Sequence, residues 1–377
     1  MKITVLSSTL SENALGRAYI LAKALERNYE VEFIGLVTDK GVWPPCDTGE
    51  FPYIKIKKGN FFKNFFQIYQ KISGDVVYAI KPLPASFGVA LAAKVFSGKP
   101  LILDIDDWEL GFNIQDYKEG KTSLLKFIRI YLTLATLEKL TFLANKLTTV
   151  STFLNERFGN RGVFVPHGRD VEAFDLKKFD VEKTKKDLEL TDKKVIMFLG
   201  SIKPHKGLED LLSAAKLAAK KIEKLKVVLV GVNFQDIWTK KLIQENKNLV
   251  FPVGFIKFDE IPKYLAAADL VVLPQKDTLE TKGQIPAKVF DAMSMAKPII
   301  STDVSDIRKI LDGCGVVIEP DNIEKLLEEI KLLLTDTEKA KELGAKAREK
   351  CVKEYSLKVM EDKLKDVFSQ YEKKRTE

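Results

Sequence analysis

Lys288 and Asp291 stand three residues apart at the head of an apolar helical pattern, just after the turn marked by Ile285 and Pro286. That spacing puts both side chains on one helical face. The first turn of a helix also offers unpaired N–H groups and the positive end of the dipole, which together favour an anion. A cation and a carboxylate there suit a ligand that carries both phosphates and hydroxyls; the plainer alternative is an ordinary strand–loop–helix unit whose Lys and Asp are solvated. A second set lies in "GSIKPHKG", where Lys206 sits in a loop ahead of a helix, with Gly200, Ser201 and Lys203 before it. A loop lysine near a helix start is a good phosphate ligand. A third set is "LDIDDWELGF", which gathers Asp104, Asp106, Asp107, Trp108 and Glu109 at the carboxyl end of a strand, where open α/β sheets bind their ligands.

Asp104 and Asp106 spell D-x-D, a metal-binding motif, but little else supports a metal. The chain has two histidines, and its three cysteines, Cys46, Cys314 and Cys351, are far apart and match no metal or disulfide spacing. "GKTS" at 120–123 resembles a phosphate-binding loop, yet the partner glycine position is Gln115 and no strand precedes it. Gly16 and Arg17 lie near the start of the first helix pattern, where a loop meets a ligand. A dinucleotide fingerprint needs G-x-G-x-x-G there, and "SSTLSENALG" has one glycine, so nicotinamide cofactors are not expected.

The elements that must position these residues alternate. "KITVLSS", "EVEFIGL", "DVVYAI", "PLILDI" and "KLTTVS" read as buried parallel strands separated by helical patterns, and "KVIMFLG", "KVVLVGVN" and "LVVLPQ" start a second such block. A chain of 377 residues with 45% apolar content is long enough for two or three domains with their own cores. The fold class expected is α/β, a doubly wound sheet in each block. The organising stretch, 283–307, runs from its loop through a helix at 288–295 into a β-branched strand at 299–302.

That stretch, "GQIPAKVFDAMSMAKPII", resembles the donor-site segment of the retaining glycosyltransferases of family 4, the group 1 family, in members reading P-x-K-[LIV]-[FLY]-E-x-M-A-x-x-K-P-[VI]-[VI]. "GSIKPHKG" is similar to that family's G-[RT]-[LI]-x-P-x-K-G, and "VFVPHGRDVEAF" to its P-[NH]-G-[VI]-D-x-x-x-F. The resemblance implies two facing Rossmann-like domains, the GT-B arrangement, with an interdomain cleft. It places an acceptor domain at 1–168, completed by a C-terminal helix at 356–377, and a donor domain at 169–355. It implies transfer of a sugar from a nucleotide-sugar, such as a UDP-sugar or GDP-sugar, with retention of configuration and without a metal or other cofactor. Lys206 and Lys288 are then expected to hold the pyrophosphate, and Asp291 the ribose hydroxyls. Gly200, Ser201, Lys203, Gly254, Phe255, Gln284, Ile285 and Pro286 complete the donor side, and Gly16, Arg17, Asp107, Trp108 and His167 the acceptor side. Asp106 stands where the family often has a catalytic histidine, Ser201 where it has arginine, and Gly283 where it has an upstream glutamate. A nucleotide-sugar epimerase and a non-catalytic nucleotide-sugar binder are the alternatives.

Composition narrows the partners. The net charge is +8, which suits phosphorylated ligands or acidic lipid. Residues 53–74 hold Lys55, Lys57, Lys58, Lys63 and Lys71 without an acid, interleaved with Phe61, Phe62, Phe65, Phe66 and Tyr69. The pattern fits either a helix packed on the sheet or one lying on an anionic membrane; no other feature points to nucleic acid. With no run long enough to cross a membrane and no signal-peptide core, the expectation is a cytoplasmic chain, either free or peripheral at the inner membrane face, whose acceptor is a sugar, a lipid-linked group or a small molecule.

Overall fold

The computed structural model describes residues 1–372, so the last five positions of the helix expected at 356–377 lie outside the described residues. The chain divides into two compact units. Unit 1 takes Met1–Gly168, Thr278–Ile285 and the chain from Leu357; unit 2 takes Arg169–Asp277 and Pro286–Ser356.

Unit 1 is built on a seven-stranded sheet in the order β3-β2-β1-β4-β5-β6-β7. Its strands are β1 (Lys2–Ser7), β2 (Glu30–Val37), β3 (Ile54–Lys57), β4 (Val76–Ile80), β5 (Leu101–Ile105), β6 (Lys146–Thr149) and β7 (Gly162–Phe164), every neighbour parallel. Helices cover both faces of a parallel sheet, so its strands need apolar residues on both sides. β4 and β5 accordingly are buried at every position. The helix Leu357–Glu372 closes this unit, setting Phe368 against Tyr29 and Tyr78 at ring-centroid distances of 5.9 and 5.4 Å.

Unit 2 repeats the plan with six parallel strands in the order β10-β9-β8-β11-β12-β13. They are β8 (Lys194–Leu199), β9 (Leu225–Val230), β10 (Val250–Val253), β11 (Leu270–Leu273), β12 (Ile299–Thr302) and β13 (Val316–Ile318). Ile196, Val227, Leu229 and Ile300 pack with the helices Leu208–Ala218 and Ile323–Thr335 in one core. In both units the strand order reverses beside the first strand, between β1 and β4 and between β8 and β11. Each reversal splays the connecting loops apart at the carboxyl ends of the strands and leaves room for a ligand there.

Two local expectations change. Residues 53–74 are not one helix: β3 comes first, and Asn60 then caps a helix over Phe61–Lys71 by accepting from the Lys63 N–H. The extended IKIK run pairs with β2, and Gly59 with Asn60 breaks it from the helix. The second change concerns residues 278–285. They lie between two stretches of unit 2 in sequence, yet pack with unit 1.

Candidate functional site

The donor-side residues in unit 2 collect at the reversal between β8 and β11. β8 is followed by Gly200, whose φ of +117° suits glycine. A Cβ there would lie 3.7 Å from Lys288 Cε and 3.8 Å from its Cγ, so the lysine stem runs across the strand end. After Ser201, Ile202 and Lys203, a 3-10 turn at Pro204–Lys206 delivers Lys206, half-buried, to the start of the helix Leu208–Ala218. The linking residue Gly207 has φ +68°, and a Cβ on it would meet the Pro274 carbonyl oxygen at 1.7 Å. Only glycine lets this turn press so closely on the strand end. Gly254 lies on the next loop, where a Cβ would be 3.4 Å from the Phe234 ring, with Phe255 exposed beside it.

Lys288 opens the helix Lys288–Ser294, and its ammonium lies 3.5 Å from Asp291 Oδ2, the expected three-residue pairing. Asp291 itself differs from expectation. Its side chain is fully buried, and Oδ1 accepts from the Arg169 Nε–H, while Arg169 is 2% exposed. Arg169 also donates from Nη2 to the Ala287 carbonyl at 3.0 Å and lies over the Phe258 ring. The carboxylate is therefore not solvated, and its Oδ1 ends on the guanidinium. Oδ2 accepts no hydrogen bond among the described residues, so its strongest neighbour is the Lys288 charge.

Gln284 and Ile285, expected on the donor side with Pro286, fall in unit 1, while Pro286 begins the next stretch of unit 2. Gln284 Nε2 donates to Asp107 at 2.9 Å, and the Gly283 carbonyl accepts from Ser151 Oγ at 3.0 Å. A Cβ at Gly283 would be 3.0 Å from Leu154 and 3.3 Å from Trp108. Any side chain at that position would press on Leu154 and Trp108.

In unit 1 the acids of "LDIDDWEL" divide between two cations. Asp104 is sealed, accepting from Arg17 Nε and Nη2 at 2.9 Å each, from Thr148 Oγ1 at 2.6 Å and from Tyr78 at 3.2 Å. Arg17 also donates to the Val165 and Pro166 carbonyls. Burial pulls its pKa down, Asp104 outweighs that, and the guanidinium stays charged. Arg17, expected to touch acceptor, is thus a structural tie, and Gly16 before it packs on Trp43.

The second cation is Lys81, which stands in no recognisable motif. It follows β4 at the reversal with β1, in a left-handed conformation of φ +67°. Its ammonium contacts Asp107, lies 2.7 Å from Glu109 and 3.7 Å from Asp106. Burial lowers its pKa, but Asp106, Asp107 and Glu109 together raise it well above the usual lysine range. Asp106 is the odd member. Its Oδ1 is buried and accepts no hydrogen bond among the described residues, and burial pushes its carboxyl up to about 7, against the pull of Lys81. Trp108 lies under the Arg157 guanidinium, 4.2 Å from its ring centroid, and His167 is buried nearer the end of the unit. Among the described residues no group of three or more His, Cys, Asp or Glu could hold a metal ion; both acids of the D-x-D face protein cations instead.

The Asp106 shift has a measurable sign. An unfolded aspartate has a pKa near 3.9, so between about pH 4 and 7 the folded protein holds a proton that the unfolded chain has released. The stabilisation from this group is complete below that window and lost as pH rises through about 7. Melting temperatures of the parent and Asp106→Asn should therefore diverge from pH 5 to 8, with the parent falling relative to the variant. A difference that stays constant over that range would show an ordinary carboxylate.

Residues 180–350 match the model of the family described as glycosyl transferases group 1. The chain is 26% identical over 183 residues to alpha-D-kanosaminyltransferase of Streptomyces kanamyceticus, covering 48% of this chain and 46% of that protein. It is 24% identical over 234 residues to a GDP-mannose-dependent monoacylated alpha-(1-6)-phosphatidylinositol monomannoside mannosyltransferase of Corynebacterium glutamicum, covering 59% and 61%. The chain thus spans about half to three fifths of the length of these curated relatives. Among solved structures, Anabaena HepE in complex with UDP-glucose superposes with a TM-score of 0.76 at 18% identity, over 98% of this chain and 100% of that one. Sucrose-phosphate synthase from Thermosynechococcus elongatus gives 0.75 at 17% identity, over 98% of each. At such identities the likeness is one of fold, the GT-B type with two Rossmann-like sheets.

Proposed function

We propose that this chain, whose residues 180–350 match the group 1 glycosyltransferase model, transfers a sugar from a nucleotide-sugar to an acceptor with retention of anomeric configuration. The observation that carries the reading is the meeting of Lys288 and Gly200 at the β8/β11 reversal, with Lys206 on the loop that leaves the same strand. Phosphoryl charge grows as the diphosphate leaves, and fixed cations stabilise that growth more than they stabilise the bound donor. In this reading Asp291 is a positioning residue: clamped by Arg169, it aims the Lys288 ammonium at the leaving group. Ser201, Lys203, Gly254, Phe255 and Pro286 line the nucleotide side, and the base lies near Gly254.

Unit 1 serves the acceptor, a sugar that is free or lipid-borne, at the inner face of an anionic membrane. Asp106, with an unsatisfied oxygen and a raised pKa, meets the attacking hydroxyl, while Lys81 holds Asp107 and Glu109 around it and Gln284 fixes Asp107. The residues named are from this chain alone, and none of them is placed as a covalent nucleophile.

The test is incubation with UDP-sugars and GDP-sugars, following release of the nucleoside diphosphate and the anomeric signals of the product. Release with an inverted product would remove retention, and no release from any donor would remove the enzyme. Because Arg17 and Lys81 occupy the D-x-D acids and Lys206 and Lys288 supply the charge, EDTA should leave the rate within about twofold, less than the 0.5 kcal/mol scale of a silent change. Activity lost to EDTA and restored by manganese would overturn the metal-independent reading.

A further inference from the structure

Unit 1 carries an apolar surface that none of its described elements covers. The helix Leu124–Leu140 turns only Leu134 and Leu137 fully inward. Leu124, Ile128 and Leu132, spaced by four, form a stripe on its outer side, and Leu125 beside them is 82% exposed. A surface helix of a globular protein ordinarily shows polar residues there. The helix Phe61–Lys71 does the same: it buries Asn64 and Ile68, and leaves Phe62 and Phe66, again four apart, 79% and 57% exposed.

The two helices border one groove. Phe61 and Phe65 line one side, Leu132 and Leu137 the other, with Pro84 and Gly88 as the floor, around a cavity of about 430 Å³. Thr133 and Thr136 also line it, but their hydroxyls donate to the Arg129 and Leu132 carbonyls of their own helix at 2.9 and 2.7 Å. Their hydroxyl hydrogens are engaged within the helix, and the rest of the groove's lining is apolar.

The charges flanking this surface have one sign. Lys63 and Lys71 lie on the first helix, which has no acid. Lys126, Arg129 and Lys139 lie on the second, whose single acid, Glu138, is held by Arg157 at 2.5 Å. A second copy of the chain would bring cation against cation, since a two-fold interface sets a patch against itself. An anionic bilayer answers both features, apolar side chains entering the acyl boundary and lysines meeting headgroups. No described helix is long and apolar enough to cross a membrane.

We propose that this two-helix face docks unit 1 on an anionic lipid bilayer, with the groove between the helices taking an acyl chain. The docking stands independently of sugar transfer. It does bear on it, since Tyr117, on the helix Glu109–Lys118 that follows the Asp106 cluster, stacks on Phe127 of the docking helix at 4.3 Å. A lipid-borne acceptor would thus reach the acidic cluster from the same membrane.

Co-sedimentation with vesicles tests this without any donor present. The protein should pellet with phosphatidylglycerol–phosphatidylcholine vesicles and remain in solution with phosphatidylcholine alone. Phe62→Ser with Leu125→Ser should weaken binding by about tenfold or more, as each removes a large apolar side chain from the lipid. Replacing Lys63, Lys126 and Arg129 by Gln should cost roughly fivefold per charge. Gly88→Leu, which fills the groove from an open position, should weaken binding with an unchanged melting curve. No pelleting with anionic vesicles, equal pelleting with neutral ones, or exposed-residue variants that bind like the parent would overturn the docking. A solution dimer abolished by Phe62→Ser with Leu125→Ser would assign the face to a second copy instead. Unchanged binding by Gly88→Leu would remove the acyl chain from the groove.

Discussion

Asp291→Ala is expected to lower the melting temperature of unit 2 by roughly 10 °C. The substitution leaves the Arg169 guanidinium, 2% exposed, without its carboxylate. Breaking one side of a buried ion pair costs about 3–5 kcal/mol, because a desolvated charge is left behind. For a unit of this size each kcal/mol moves the transition by about 2–4 °C. The Ala287 carbonyl and the Phe258 ring remain beside the guanidinium, which offsets part of the loss. Removing both charges should be far milder: Arg169→Met with Asp291→Leu replaces the pair by apolar volume, a change that is often neutral. Calorimetry on the single and double variants decides. A single variant that melts within about 2 °C of the parent, less than about 1 kcal/mol, would mean that Asp291 is a solvated surface charge.

Lys206→Ala and Lys288→Ala should behave in the opposite way, with little change in melting and a large change in rate. Both side chains are half-buried at a loop or helix start. Deleting one positioned group that stabilises developing charge commonly costs about 10²–10³ in kcat. Ground-state affinity for the nucleoside diphosphate should fall less, since the charge it carries in the donor is smaller than in the transition state. Asp291→Asn, which keeps the shape and loses the charge that orients Lys288, should share the kcat effect in weaker form. Equal losses in diphosphate affinity and in kcat/KM, with kcat itself unchanged, would make the lysines simple donor ligands.

The sheets were legible because parallel strands buried on both faces must be written as apolar runs. "KITVLS" and "KVIMFL" announce the first strand of each unit, and "IIST" the strand after the organising helix. The placement of Lys206 on a loop before a helix and of Lys288 at a helix start was legible from the turn signals around them. What escaped the sequence is pairing over long separations. Arg169 stands in an unremarkable "HGRD", 122 residues from Asp291, and nothing local marks the two as partners. Lys81 in "AIKPLP" has no motif; its importance comes from a β4/β5 neighbourhood that only the folded sheet creates. The D-x-D spells a metal motif in sequence because sequence shows the acids and hides Arg17, 87 residues away, which holds the first of them. The allegiance of 278–285 is likewise decided by packing, Gln284 on Asp107 and Gly283 between Leu154 and Trp108.

The return of the helix Leu357–Glu372 to unit 1 sets a schedule for synthesis. Met360, Leu364, Val367 and Phe368 are buried, and Phe368 fills the space against Tyr29 and Tyr78. A ribosome that has finished β7 must still translate the whole of unit 2 before this helix exists, an interval of roughly 10–40 s at ~5–20 residues per second. Throughout that time the nascent first half has its seven strands but lacks one wall of its core. Chaperones that shelter exposed apolar surface are the natural company for such an intermediate. Unit 2 is complete sooner, so the later half of the chain can reach its native state before the earlier half does.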